Sequence, residues 1–593
     1  MSKEKSNMTP SAKQSLSRRR FLSTTTKTAV ATIAYTTLKP NGREVFAASV
    51  ETAQTNGAVA GELKAVFKHL DEYIAHHMVD LGAPGMTLAL ANREGPLRIS
   101  TYGFADTKTN SRVTPDTVFQ IGSISKSFVA LTLLQQRDEG KLDLSKPIVE
   151  YLPWLKINSK FDSISTHHLL SHTSGLPGAP LLLDALLAEL WTTYAPGNRF
   201  LYSNTGYNIL GFIVEAVEKR PFADTVKTRL LKPLGMEASF PIISNDTRAR
   251  TAVGYVPFKS DRPFPQRGAL TESTWIEMDM AAGSIASTPG DMAKYIRMLL
   301  NRGGLPNGRI ITEDTFSLFV KPHVKAPFRG EDASYGYGLW TSDINGHTRL
   351  RHTGGMVAFS SSIDVDLTAG VGGFASVNAS LRGGYRPVAV TRYAVDLLNA
   401  SLAGKPLPDA PTPQPSASEV KNAADYAGMY TTVDGNKLEI VADGTKLFLI
   451  HRGERILLER SGGDLFLVKH PEFELFPLGF VRENQKVTEA YHGANWYMGA
   501  GYTGPKTFSV PKEWESYVGH YTNDSPWYGG VRIVLRKGQL YQNGVQRLVA
   551  RPDGKFHFGD PELPDYLTFE SVVDGRAMRL NFSGIVFRRT FTP

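Results

Sequence analysis

The last third of the chain says the same thing twice. Tyr426-Ala-Gly-Met-Tyr-Thr431 recurs as Tyr517-Val-Gly-His-Tyr-Thr522, and Ala490-Tyr-His-Gly493 recurs as Asn581-Phe-Ser-Gly584, both 91 residues apart. Gly463 and Gly554 keep the same spacing. Landmarks in register at one offset are the mark of tandem duplication, so this region must fold as two related units of roughly 85 residues. Its texture is short alternating segments separated by Gly, Asn and Asp, as antiparallel strands require. Each unit is long enough to close as a small barrel, which leaves no open sheet edge. Before the repeats comes Lys405-Pro-Leu-Pro-Asp-Ala-Pro-Thr-Pro-Gln-Pro-Ser, a semi-extended proline-rich tract. The chain therefore divides into a leader (1–48), a large domain (62–403), a linker (404–420) and two barrel repeats (421–506 and 507–593).

The large domain carries three short motifs in one order: Ser123-Ile-Ser-Lys126, Tyr202-Ser-Asn204 and His352-Thr-Gly354. Ser123 falls where an extended run turns apolar at helical spacing (Phe128, Leu131, Leu134), near a helix N-terminus whose dipole favours a developing alkoxide. Lys126 is on the same helical face and within reach of the Ser123 hydroxyl. A serine hydroxyl is a poor nucleophile until a neighbour takes its proton, and a lysine held neutral by burial can do so. Tyr202 precedes a second apolar helical run and can pass a proton to a leaving group, with His352 as a candidate catalytic residue assisting it. Asn204 can donate to a substrate carbonyl, or it could cap that helix. After His352, Thr353 and Gly354 read as an edge open to substrate, and the amides of Ser123 and Gly355 are expected to form an oxyanion hole.

These motifs, with His168-Leu-Leu-Ser-His-Thr-Ser-Gly-Leu-Pro177 and Ala281-Ala-Gly-Ser-Ile-Ala-Ser-Thr-Pro-Gly-Asp291, resemble the serine β-lactamase-like superfamily over about residues 62 to 403. The resemblance is closest to its class C β-lactamase, D,D-peptidase and D-aminopeptidase branch. It implies an α/β (α+β) catalytic domain of β-lactamase/transpeptidase type, with a mostly helical insertion carrying Tyr202. It also implies acylation of Ser123, a base role shared by Lys126 and Tyr202, and Asn204 holding the substrate amide. His352 stands where β-lactamases and penicillin-binding proteins usually have a lysine. Histidine is mostly neutral at pH 7, which weakens carboxylate recognition and shifts the expectation from β-lactam hydrolysis to a peptidase or amidase acting on small peptides with D- or unusual residues. An esterase, a β-lactamase or penicillin-binding protein, and an acylated sensor with negligible turnover are the alternatives. Two lipocalin-like barrels after such a domain resemble the architecture of D-aminopeptidases, where a barrel loop reaches the active site. The candidates here are residues 523–530, with Trp527 and Tyr528, and residues 559–565; as an alternative the barrels are spacers.

The leader holds Ser17-Arg-Arg-Arg-Phe-Leu-Ser23, a mildly apolar stretch over 28–38 and Val45-Phe-Ala47, which reads as a twin-arginine export signal. A periplasmic or secreted protein is expected. Residues 1–48 contain nine Lys/Arg and two Asp/Glu, so the rest is close to neutral at 57 against 55. The net charge of +9 is thus no argument for a nucleic-acid partner. No stretch reaches membrane-spanning length, and the expected partner is a small peptide, amide or ester, with room for a homo-oligomer. The absence of cysteine excludes disulfides and thiol catalysis. His167, His168 and His172 invite a zinc reading, but no H-E-x-x-H pattern supports it, so neither metal nor cofactor is expected.

Overall fold

The computed structural model describes residues 50–55, 63–178, 190–258, 262, 270–326, 332–381, 384–411, 417–560 and 562–591. The expected export signal lies outside the described residues, as does the linker segment 412–416.

The first domain is built on one antiparallel sheet. Its main strands are β1 (Val50–Thr55), β2 (Gly85–Asn92), β3 (Pro96–Asp106), β4 (Val324–Lys325), β5 (Ser334–Tyr335), β6 (Trp340–Ile344), β7 (His347–Gly355), β8 (Ser360–Asp366) and β9 (Val371–Val377), with the short Ser111–Arg112 pairing with β3 to one side. They lie in the order β1-β3-β2-β9-β8-β7-β6-β5-β4. Every residue of β8 and β9 is buried, so neither strand alternates polar with apolar. That pattern demands cover on both faces. Helices α1 (Lys64–Leu81) and α5 (Val388–Leu402) supply it on one face, through an apolar cluster including Leu70, Ile74, Val390 and Leu397. On the other lie α2 (Ser125–Asp138), α3 (Asn204–Glu218) and α4 (Pro289–Leu300), packed through Phe128, Leu131, Ile209, Ile213 and Ile296. Sequence cues set their starts. Ser203 caps α3 by accepting from Gly206 N–H, and Thr288 caps α4, with Pro289 in its first turn. The Asn204 side chain is consequently free of the capping role.

Two closed antiparallel barrels of eight strands follow, one between Gly428 and Met498, the other between Gly519 and Thr590. The repeat is structural as well as textual. Tyr430 donates its hydroxyl to the Tyr426 carbonyl at 2.8 Å, and Tyr521 to the Tyr517 carbonyl at 2.7 Å. Between the barrels, the buried Arg536 of the second is sandwiched by the rings of Tyr491 and Tyr541 and donates to the Gly493 carbonyl of the first at 2.7 Å. The adjacent Lys537 pairs with the buried Glu489 of the first barrel at 2.7 Å. No helix among the described residues is long and apolar enough to cross a membrane.

Candidate active site

The nucleophile turn and the third motif meet backbone to backbone. Gly122 opens the single turn Gly122–Ile124 that leads into α2, with φ of 56°, in the left-handed region. A Cβ there would stand 2.6 Å from Gly355 N. On the facing strand, a Cβ on Gly354 would stand 1.8 Å from the Ile121 carbonyl oxygen. Glycine at both positions is what lets the turn press onto the end of β7, bringing Ser123 and Gly355 to the rim of one cavity.

Lys126 lies one helical turn behind Ser123 and is fully buried. Its Nζ is 3.1 Å from Ser123 Oγ, and it donates to Asn204 Oδ1 and to the Ala282 carbonyl, both at 2.8 Å. Burial holds its pKa well below the ordinary lysine value. The two carbonyl oxygens can only accept. A neutral amine must therefore spend both N–H bonds on them, which turns its lone pair toward the serine hydroxyl. With Oδ1 of Asn204 committed to Lys126, the Nδ2 group is the part left for a substrate.

Tyr202 is half-buried, with its ring 4.8 Å from Lys126 Nζ and parallel to Trp340. His352 is buried and is not among the residues that border the cavity, and its ring centroid lies 6.3 Å from that of Tyr202. Its Nδ1–H donates to the Thr353 carbonyl at 2.7 Å, the Tyr335 hydroxyl is 3.2 Å from Nε2, and the ring stacks on Trp340 at 4.2 Å. Strand alternation explains the division. Thr353 and Gly355 border the cavity, while His352 and Gly354 do not, Gly354 lying against Ile121. The substrate contact expected at Gly354 thus becomes a structural one.

The cavity measures about 420 Å³. Its apolar wall is made by Met278, Met280, Met356, Trp340 and Trp527. Arg386, which the motifs did not reveal, is the one lining residue with a full charge among the described residues. Its Nη1 is held by the carbonyls of Tyr385 at 2.7 Å and Gly384 at 3.2 Å, and Nη2 lies over Gly355 where a Cβ would be 1.9 Å away. The only sequence cue was an arginine in the glycine-rich run Arg382-Gly-Gly-Tyr-Arg386.

Both barrel loops named as candidates touch this domain. The loop over 523–530 delivers Trp527 to the cavity, packed with Met278, Met356 and Phe359. The other clasps the segment that runs into Tyr202. Asp560 and Glu562 pair with Arg199 at 2.6 and 3.2 Å, the Pro564 carbonyl accepts from Trp191 Nε1 at 2.8 Å, and Asp565 accepts from Gly178 N–H at 3.2 Å. Of the histidines near the site, His167 bonds the Tyr337 hydroxyl and His168 the Ser165 amide.

A family model described as Beta-lactamase matches residues 70–397. A protein of Salmonella schwarzengrund provisionally assigned as a D-alanyl-D-alanine carboxypeptidase is 26% identical over 333 residues, covering 49% of this chain and 74% of that protein. A homologous protein of Salmonella newport with the same assignment matches at the same identity and coverage. Among solved structures, the octameric penicillin-binding protein homologue from Pyrococcus abyssi aligns with a TM-score of 0.53 at 23% identity, over 73% of this chain and 99% of that one.

Proposed function

The chain belongs to the β-lactamase family, and on that premise we propose that it is an exported serine peptidase that cleaves small peptides next to a free C-terminal carboxylate, with a D-residue at the scissile bond. The observation that carries this reading is Arg386. It gives a carboxylate its counter-charge, whereas no Asp or Glu among the described residues borders the cavity to receive a free ammonium group. That favours a carboxypeptidase over an aminopeptidase. The D-configuration is supported by the assignment of the Salmonella relatives. Export rests on residues 1–48.

In this mechanism Lys126, neutral and aimed by Asn204 and Ala282, takes the Ser123 proton as Oγ attacks the carbonyl carbon. The oxyanion forms against the amides of Ser123 and Gly355. Asn204 Nδ2 holds the acyl-side amide, and Thr353 and Arg386 hold the terminal carboxylate. Tyr202 delivers its hydroxyl proton to the departing amine; its phenolate then takes a proton from the water that attacks the acyl carbon, and Lys126 returns its proton to Ser123 Oγ as the acyl group leaves. The methionine and tryptophan wall favours a second reading, an esterase for apolar acyl groups, which would use the same serine.

The test is release of D-alanine from an N-acylated peptide ending in D-Ala-D-Ala, beside a D-alanine p-nitroanilide, a nitrophenyl ester and a penicillin. Carboxypeptidase release that disappears in Ser123→Ala is expected. Turnover of the free-amine anilide alone would establish an aminopeptidase instead, and turnover of the ester alone an esterase.

A further inference from the structure

His172 has no part in the chemistry described so far, yet it holds the chain on both sides of Tyr202. Its carbonyl accepts from Leu201 N–H at 2.8 Å, and its Nδ1 accepts from Ser203 N–H at 3.0 Å. Between those two bonds its ring packs on the Tyr202 ring, with centroids 4.3 Å apart. The imidazole is 1% exposed and walled by Phe200, Tyr207 and Tyr335 besides Tyr202. The backbone adopts φ of 57°, a left-handed conformation uncommon for a residue with a side chain. Such a conformation persists only where its surroundings over-determine it, and here it directs carbonyl and ring toward the same three residues.

We infer that His172 is the positioning residue for Tyr202, fixing the tyrosine ring and the chain on either side of it so that its hydroxyl meets the leaving group. This rests on the reading of Tyr202 as the proton carrier. An Nδ1 that accepts from Ser203 requires a neutral imidazole with its proton on Nε2. The surroundings agree: burial among aromatic rings holds this histidine well below its ordinary pKa. A core histidine with a merely structural role could fill the same space, but it would have no reason to bond both neighbours of one catalytic tyrosine.

The experiment is a double-mutant cycle with two leaving groups. His172→Gly suits the left-handed backbone and deletes the ring, and Tyr202→Phe deletes the hydroxyl. Each variant and the pair would be assayed on a D-Ala-D-Ala amide substrate and on a nitrophenyl ester, whose leaving group departs without a proton. A misplacement near 1 Å costs about 10²-fold, so His172→Gly is expected to lower kcat on the amide by about that factor, with KM within about threefold. The ester should lose less than about fivefold, and His172→Gly should cost nothing more once Tyr202 is phenylalanine. His172→Asn tolerates the same backbone and offers Oδ1 to Ser203, so it should recover part of the amide rate, to about tenfold below wild type. Should the glycine variant fail to fold, the asparagine variant carries the test through the same amide-to-ester comparison. Equal losses on both substrates, multiplicative losses in the cycle, or a wild-type amide rate in His172→Asn would overturn the inference. If Tyr202→Phe itself kept full amide turnover, the proton-carrier reading would fail first, and the cycle would separate that outcome from this one.

Discussion

If Arg386 receives the substrate carboxylate, removing its charge must hurt one class of substrate and spare another. The size of the effect follows from where the guanidinium sits. It is half-exposed at the rim of the cavity, with Nη1 spent on the Tyr385 and Gly384 carbonyls and Nη2 over Gly355. Two unit charges about 4 Å apart interact by about 1 kcal/mol in water and about 4 kcal/mol at the effective dielectric of a protein surface. A rim position falls between these limits, near 2–3 kcal/mol, which is also about what a hydrogen bond to a charged group contributes. At about 1.4 kcal/mol per decade, Arg386→Gln should lower kcat/KM on the carboxylate peptide by about 30- to 150-fold.

The assay sets that peptide beside its C-terminal carboxamide, in wild type and in Arg386→Gln. Wild type should prefer the carboxylate by the same factor, and in the variant the preference should shrink to about one. Raising salt should erode the wild-type preference, because the pair is not fully buried. Glutamine keeps a donor for the backbone carbonyls, so thermal unfolding should barely move. Equal losses on both peptides would mean that Arg386 shapes the cavity without binding the carboxylate. No loss on either would remove it from the site, and the argument for a carboxypeptidase would go with it.

Other expectations test the remaining geometry. Because Lys126 must be neutral to act, kcat/KM should fall as pH drops through its lowered pKa, and Lys126→Arg, charged at every accessible pH, should be inactive. The same depression has a stability signature: between the folded value and the ordinary lysine value the unfolded chain binds the extra proton, so unfolding free energy should rise with pH across that window. Gly354→Ala would force a Cβ to 1.8 Å from the Ile121 carbonyl oxygen, pushing the nucleophile turn off β7; turnover should drop by about 10²-fold or more even in protein that still folds by circular dichroism. Trp527→Ala removes a barrel-borne wall of the cavity, and should raise KM for peptides with bulky apolar acyl groups by about tenfold while leaving acetylated ones unchanged.

Which parts of this site were legible in the sequence depends on how local their geometry is. Ser123 and Lys126 are three residues apart on one helix, so helical periodicity alone puts amine beside hydroxyl. The barrel duplication was equally readable, because Tyr430 and Tyr521 repeat one hydrogen bond made within four residues of chain. Arg386 is a different case. It is 31 residues beyond Gly355, and it reaches that glycine only through the register of β7, β8 and β9 and the loop that follows them. His352 was read as a neutral residue at a position usually held by lysine and as an assistant to Tyr202; its ring packs on Trp340 and Tyr335 and lies 6.3 Å from that of Tyr202.

The glycines make the same point from the other side. Gly354 was read as room for a substrate to approach the backbone, and the room is taken by Ile121. Both readings follow from a missing Cβ, and only the neighbour decides between them. The barrel loops differ again: two were named as rivals, and each has a contact of its own, one at the cavity wall through Trp527 and one on the segment 191–199 that leads into Tyr202. A single barrel thereby touches the cavity at its wall and along the approach to its tyrosine. Loosening the clasp, by Arg199→Ala for instance, should act on Tyr202 and so on kcat, whereas loss of Trp527 should act on KM.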